Sequence, residues 1–365
     1  METKLHEYFR QIPDPRINRN KKHLLIDIIL LSVLAVICGA ESWDSIEMFG
    51  KSKIDFLRRF LRLPNGIPSH DTINRVFTML RPDKFEQIFI QWVDSLRIKG
   101  ISNEVIAIDG KTSRGSKDSF HDKSPIHIVS AWANSNQLVL GQRKIDKKSN
   151  EITAIPLLLE MLNLEGCIVT IDAMGTQKDI AKTIVDQKAD YILALKGNQE
   201  GLMEGVEHLF SRQRADSENT ITEKGHGRIE TRHCQVISNL TFLDEKEQWE
   251  NLNSLIRVNA QRDINGKVTN ETRLYISSIK ESAENFNSFI RQHWGIENSL
   301  HWVLDVTFNE DRQRKRNGMA AQNFALVQKI ALNLLKSEES NKVSIKNKRL
   351  KAAWDNDFLL KILKI

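Results

Sequence analysis

VIAIDGK at 105–111, CIVTIDAMG at 167–175 and DYILALKG at 190–197 are three short apolar runs, each closed off by a glycine. Continuous apolar runs of this length between turn residues read as buried strands. Between the first two lie HIVSAWAN (127–134) and LVLGQRKI (138–145), two further strands, and ITAIPLLLEML (152–162), a helix. KDIAKTIVDQK (178–188) supplies a second helix before the last strand. The order is β-β-β-α-β-α-β, a meander of three strands followed by crossovers.

That order is the one found in the ribonuclease H-like fold, so the fold class expected is α/β: a ribonuclease H-like mixed sheet flanked by helices. Outward from it the texture changes. Residues 1–98 read as helical, with the most apolar run, LLIDIILLSVLAVICGA (24–40), inside a helix at 22–39. Ser42 supplies a side-chain cap for a helix through about Arg62. LPNGIPSHDT (63–72) breaks the pattern, Ser69 or Asp71 caps the next helix, and a last one covers Pro82 to Leu96. After the central region, TITEKGHGRIETRHCQVI, LIRVNAQRD and KVTNETRLYISS (within 220–278) alternate as strands and suggest an all-β insertion. Helices resume at 284–306 and 319–336, and a basic tail with an amphipathic helix ends the chain. The division expected is 1–98 helical, 99–335 catalytic with a β-strand insertion at about 198–285, and 336–365 as tail.

Asp109 and Asp172 each stand where a buried strand is expected to stop, in the settings IDG and IDA. A carboxylate at the C-terminal end of a buried strand faces an open crevice. Two on neighbouring strands suit a shared hard cation such as magnesium or manganese, although either can equally cap the turn that follows. Glu297 lies in IRQHWGIENSLHWVLD, where His293, Glu297 and His301 fall at i, i+4 and i+8 on one helical face. The spacing is not HExxH, which argues against zinc. Gly295 inside that helix costs about 1 kcal/mol relative to alanine and points to a close approach by another segment. Trp294 and Trp302 are expected in the core. Lys111, Arg114, Lys196, Asn198 and Gln199 follow strand ends near the expected crevice and are candidates for holding phosphates. His226 and Arg228 are expected at a hairpin tip that reaches DNA.

The chain has 365 residues, 40% hydrophobic and 27% charged, with a formal net charge of +6, ordinary for a globular protein with a mild bias towards polyanionic partners. The apolar run at 24–40 falls short of the roughly 20 residues of a membrane span and carries Asp27, so it is expected as a core helix and no membrane association is expected. Cys38, Cys167 and Cys234 are far apart and odd in number, which reads as buried free thiols in a reducing, cytoplasmic setting.

The runs IPDPR (12–16), GIPSHDT (66–72), AIDGK (107–111), HIVSAW (127–132), KSNEITAIP (148–156), TIDAMG (170–175), DYILALKGNQ (190–199), HGRIETR (226–232), YISS (275–278) and HWGIENSLHWVLDV (293–306) resemble those of the H-repeat-associated transposases of bacterial insertion sequences. The resemblance extends from about His6 to Leu363. It implies a DDE transposase in which Asp109, Asp172 and Glu297 are the catalytic, metal-holding acids for two magnesium or manganese ions. It implies as partners double-stranded DNA, both terminal inverted repeats and target, and pairing two ends calls for a homodimer during the reaction. One departure stands out: the Tyr, Arg, Glu, Lys signature of many relatives is altered. Phe289 and Arg291 precede Glu297 at changed spacing, and Leu304 occupies the place of the lysine, leaving His301, Arg312, Arg314 or Lys315 as candidates for its DNA contact. The alternative is a DNA-binding protein descended from a transposase that no longer cuts.

Overall fold

A computed structural model of the chain describes residues 3–17, 21–98, 100–118, 120–121, 123–146, 149–225 and 227–364. The five expected central strands form: β1 (Glu104–Ser113), β2 (Ile126–Ala133), β3 (Leu138–Lys144), β4 (Cys167–Ile171) and β5 (Asp190–Leu195). They lie side by side as β3-β2-β1-β4-β5, with β1 antiparallel to β2 and parallel to β4, and β4 parallel to β5. This is the ribonuclease H-like arrangement. Helices cover both faces, so Ile106, Ile108, Val169, Ile171 and Leu193 are fully or almost fully buried, and the strands read as continuous apolar runs for that reason.

β1 corrects one expectation. It does not stop at Asp109 but continues to Ser113, because β2 pairs with it as far as the Ser113–Ile126 rung. On its other side the ladder to β4 ends at the Ile108–Ile171 rung. Asp109 is therefore not at a strand end; it is the first residue of β1 whose parallel neighbour has gone, and the crevice opens there.

The later strands form as expected, β6 (Ser217–Gly225), β7 (Arg228–Ile237), β8 (Ser254–Ile264) and β9 (Lys267–Ser277). A helix that the sequence pattern does not separate, Glu200–Arg212, precedes them. They do not make a second sheet. β9 pairs antiparallel with β5, and the whole runs as one nine-stranded sheet, β3-β2-β1-β4-β5-β9-β8-β7-β6. At the far edge, on β3, Asn333 is completely buried and exchanges two hydrogen bonds with the Val139 backbone, at 2.8 and 2.9 Å. That pairing ties the helix Ala320–Ser337 to the sheet and satisfies the outward backbone groups of one edge residue.

The apolar run near the N-terminus forms the helix Leu25–Ile37, buried on every side except at Ile26. It packs against Ala320–Ser337, and one apolar core extends from Leu5 to Leu363. No helix among the described residues is long and apolar enough to cross a membrane. Ser42 caps its helix as expected, accepting from the Ser45 amide, but the helix covers only Trp43–Ser52. The chain turns at Lys53 (φ −118°, ψ 21°) into a short helix, Ile54–Leu57, with Phe56 and Leu57 buried. Ser69, not Asp71, caps the helix His70–Met79. The three cysteines are free; Cys167 and Cys234 are buried and Cys38 only partly so.

Candidate active site

Asp109 and Asp172 arise from the same step in the sheet. With Ile108 paired to Ile171, the next residues on the two parallel strands are the two aspartates. Asp172 leaves β4 and caps a short 3-10 turn, its Oδ1 accepting from the amides of Met174 and Gly175 at 3.1 and 3.4 Å. The side-chain amides of Asn198 and Gln199 donate to the carbonyls of Ala173 and Thr176, at 2.7 and 2.9 Å, and hold that turn in place. One N–H of each side-chain amide is thus engaged in positioning Asp172.

Glu297 comes from across the crevice. The helix beginning at Ala283 is α-helical to His293, becomes a π-turn over Glu297–His301 and is α-helical again from Trp302. Such one-turn π segments tend to occur at functional sites. A Cβ on Gly295 would stand 2.1 Å from Asn134 Oδ1 and 3.2 Å from Trp132 Nε1, so the glycine lets the helix approach the end of β2. Across this approach, Asp109, Asp172 and Glu297 line one cavity of about 340 Å³, with His293, Trp294 and Lys196 also on its wall.

Asp109, Glu297 and His301 offer ligand atoms all within 4.8 Å of one another. Asp172 lines the same cavity but stands outside that tightest group. His301 Nδ1 lies 3.1 Å from Glu297 Oε2 and 3.4 Å from Asp109 Oδ2. Burial alone would push the imidazole pKa down; the hydrogen bonds to the two carboxylates outweigh it and raise the pKa. The same bonds overcome the burial of Asp109 and hold it below the usual carboxylate range, and they lower Glu297 as well. Among the described residues no such cation pairs with Asp172: loss of water against the cavity wall raises it, and the charges of Glu151 and Asp109 add to the effect. His293 is pushed down by burial and bonds Thr170 Oγ1 at 2.9 Å.

The donor set fits a hard divalent ion. Three carboxylates converge on one cavity, and between Asp109 and Glu297 stands the His301 imidazole, whose pKa the two carboxylates raise. His301 was a candidate DNA contact from sequence. Its position among carboxylates, 4% exposed, makes it a partner of the acids.

The other candidates scatter. Lys111 does not face solvent as a phosphate ligand: its Nζ is 2.7 Å from Asp305, 3.0 Å from Glu310 and 3.4 Å from Asp311, and these carboxylates raise its pKa against the effect of burial. Lys196, Arg312 and Arg314 are exposed, and Arg114 is exposed with Asp311 at 3.8 Å. Arg228 begins β7 at the hairpin tip, 3.6 Å from Glu230; His226, its expected companion, lies outside the described residues. Arg291 is 3.5 Å from Glu223. Leu304 is core, 1% exposed. Trp294 and Trp302, expected in the core, are 38% and 57% exposed, because the apolar side of this helix is made by Ile296, Leu300, Val303 and Leu304.

Lys315 is the clearest departure among the basic candidates. It is buried, its Nζ 3.5 Å from the Phe324 ring centroid and donating to the Glu41 carbonyl at 2.6 Å. Burial pushes its pKa down to about 7, from an ordinary value of 10.5. Between these two values the folded amine is neutral and the unfolded one charged, so unfolding takes up a proton and stability rises with pH across the window. Lys315→Met is therefore expected to melt about 1–3 °C above wild type at pH 7, an advantage that shrinks as pH approaches 10. Equal pH slopes for the two proteins in thermal melts would refute this.

The family profile described as "Transposase DDE domain" matches residues 101–334, and one described as "DDE_Tnp_1-associated" matches residues 6–93. Among curated relatives, "Putative transposase YncI" of Escherichia coli O157:H7 is 44% identical over 98% of this chain and 94% of its own length. "H repeat-associated putative transposase YhhI" of Escherichia coli strain K12 is 43% identical over 99% of this chain and 97% of its own. The solved structure of a piggyBac transposase synaptic complex with hairpin DNA aligns over 99% of this chain and 77% of that one, at 13% identity and a TM-score of 0.49.

Proposed function

We propose, from the premise that this chain belongs to the family of transposases with a DDE domain, that it cuts and joins DNA at the ends of its own insertion element. Asp109, Asp172 and Glu297 hold two divalent ions, magnesium or manganese. The observation that carries this reading is the convergence of the three carboxylates, from two strands and a facing helix, on one cavity. When bound, the ions would supply an activated hydroxyl nucleophile and stabilise the leaving 3′-oxygen.

The chain's own groups do the positioning. Asp109 and Asp172 are fixed by the β1–β4 register and by the Asn198 and Gln199 contacts to the 172–176 turn. His301 offsets the repulsion between Asp109 and Glu297 when no metal is present. Lys196, Arg114, Arg312 and Arg314 are exposed and available to phosphates. Residues 1–98 contribute recognition of the terminal repeats, residues 99–335 the catalytic unit and 336–365 a basic tail. Two protomers pair the two ends, and the reaction takes place on DNA in the cytoplasm.

The test is a plasmid carrying the gene's flanking DNA, incubated with the protein and magnesium or manganese. Metal-dependent nicks at the element ends, followed by joined products, are expected. Binding to those ends without cutting would replace the proposal with a DNA-binding relic, and cutting without joining would make the protein a nuclease.

A further inference from the structure

The face of β7, β8 and β9 that carries the helix Ala283–His293 changes character along its length. Residues opposite one another in the ladders form rows on this face. Val236, Ile256 and Tyr275 make one apolar row, and Cys234 and Val258 continue into the next, which ends on Arg273. The rows beyond are Arg232–Ala260–Glu271 and Glu230–Arg262–Thr269. The helix covers the apolar rows, with Phe286, Phe289 and Ile290 packed on them. The charged rows project past it and wall a cavity of about 280 Å³.

Five guanidinium groups meet there, those of Arg228, Arg232, Arg262, Arg273 and Arg291. Three carboxylates answer them. Glu230 is shared by Arg228 and Arg262 at 3.6 and 3.7 Å, Glu223 by Arg232 and Arg291 at 3.2 and 3.5 Å, and Glu271 is taken by Arg273 at 2.8 Å. Glu297 stands on the same wall, so four carboxylates face five guanidinium groups and one positive charge is left over. Arg232 is only 8% exposed, and its Nε has no hydrogen-bond partner; the Nε of Arg262 has none either. A buried guanidinium with an unpaired donor is costly to keep unless something anionic completes it.

This cavity adjoins the carboxylate cavity. Arg273, Trp294 and Glu297 belong to both walls, and Arg273 lies over the Trp294 ring at 5.0 Å. An anion extended through both, with charges repeated along it, fits better than a small free anion.

We propose that the arginine-lined cavity is a phosphate site distinct from the metal-holding acids, in which Arg232 and Arg262 bind backbone phosphates of the DNA strand that passes Glu297. The inference rests on the transposase reading. It assigns the site to strand positioning, since phosphate contacts fix register without reading sequence. It also accounts for the long β8–β9 hairpin, which carries cations to a place next to the crevice that the five core strands alone do not reach.

The experiment is a salt titration of binding to a fluorescent duplex carrying the element end, with calcium in place of magnesium, followed by anisotropy. Arg232→Gln and Arg262→Gln are each expected to reduce the slope of log affinity against log salt by about 1 and to weaken binding about fivefold near 0.1 M salt. Arg232→Lys and Arg262→Lys keep the slope, because Coulomb attraction to phosphate survives. Should Arg232→Gln melt early, Arg262→Gln carries the test, its side chain being 41% exposed. Unchanged slopes in the Gln variants, with wild type binding and cutting the same ends, would overturn this inference and leave the transposase reading intact. A wild type that neither binds nor cuts the ends would bring down both.

Discussion

Asp172→Asn is expected to lower metal-dependent DNA cleavage by about a thousandfold, the scale on which loss of one transition-state stabiliser is felt. In the same protein without metal, thermal stability is expected to hold or rise. The stability result follows from the surroundings of Asp172: among the described residues no cation pairs with it, and loss of water together with the charges of Glu151 and Asp109 already disfavours its ionised form. Removing that charge relieves the metal-free fold and removes one of the three proposed metal ligands. Asp109→Asn is expected to lose cleavage to a similar extent but to melt earlier in EDTA, because Asp109 is the favourably held partner of His301. The sign for Asp109 is that of a lowered carboxyl pKa: its stabilisation is present above the ordinary value of 3.8 and disappears as pH falls through the folded-state value. Cleavage assays and melts in EDTA decide the matter. Opposite melting shifts for the two variants are the signature, and equal shifts would show that the two aspartates do not differ electrostatically in this way.

Lys111→Ala is expected to be among the most destabilising single changes outside the apolar core, at about 3 kcal/mol. The ammonium is enclosed by Asp305, Glu310 and Asp311, and the Glu310 side chain is only 4% exposed. Without Lys111 a buried carboxylate keeps its charge with nothing to offset it, or takes up a proton on folding. Asp305 and Asp311 reach solvent and recover part of the loss, which keeps the cost at the lower end of the range for a broken buried pair. Lys111→Arg retains the charge and is expected to cost less than half as much. Guanidinium denaturation of the two variants beside wild type measures both numbers. A change below about 1 kcal/mol for the alanine variant would mean that Lys111 is not the structural cation this geometry makes it.

The central strands were legible because burial on both faces writes itself as uninterrupted apolar runs, and the order of strands and helices along the chain followed from the alternation of those runs with amphipathic helices. Asp109 and Asp172 stood out for the same reason, being charges at the limit of buried segments. What escaped was anything decided by pairing across the sheet. That β1 continues past Asp109 depends on β2 remaining beside it after β4 has ended, and no local pattern in VIAIDGK records that. The fate of the lysines escaped too: Lys111 and Lys315 read as surface cations, and only the fold brings Asp305, Glu310 and Asp311 around one and Trp43 and Phe324 around the other. Arg232, Arg262 and Arg273 were missed, although RIETR at 228–232 carries an alternation that puts Arg228, Glu230 and Arg232 on one face of a strand. The tryptophans went the other way, since Trp294 and Trp302 lie just off the buried stripe of their helix.

The packing of Leu25–Ile37 against Ala320–Ser337 has a consequence for how the protein is made. The most apolar helix leaves the ribosome near the beginning of synthesis, and the helix that covers it leaves about 300 residues later. At roughly 5–20 residues per second that interval is about 15–60 s. Throughout it, the helix has its early neighbours, Lys4–Phe9 and Trp43–Ser52, but lacks the helix Ala320–Ser337 that covers it. Apolar surface on that helix thus stays exposed until synthesis is nearly complete, a state prone to aggregation. The acids are subject to the same delay: Glu297 is translated long after Asp109 and Asp172, so a chain broken off before it lacks both the covering helix and the third carboxylate of the cavity.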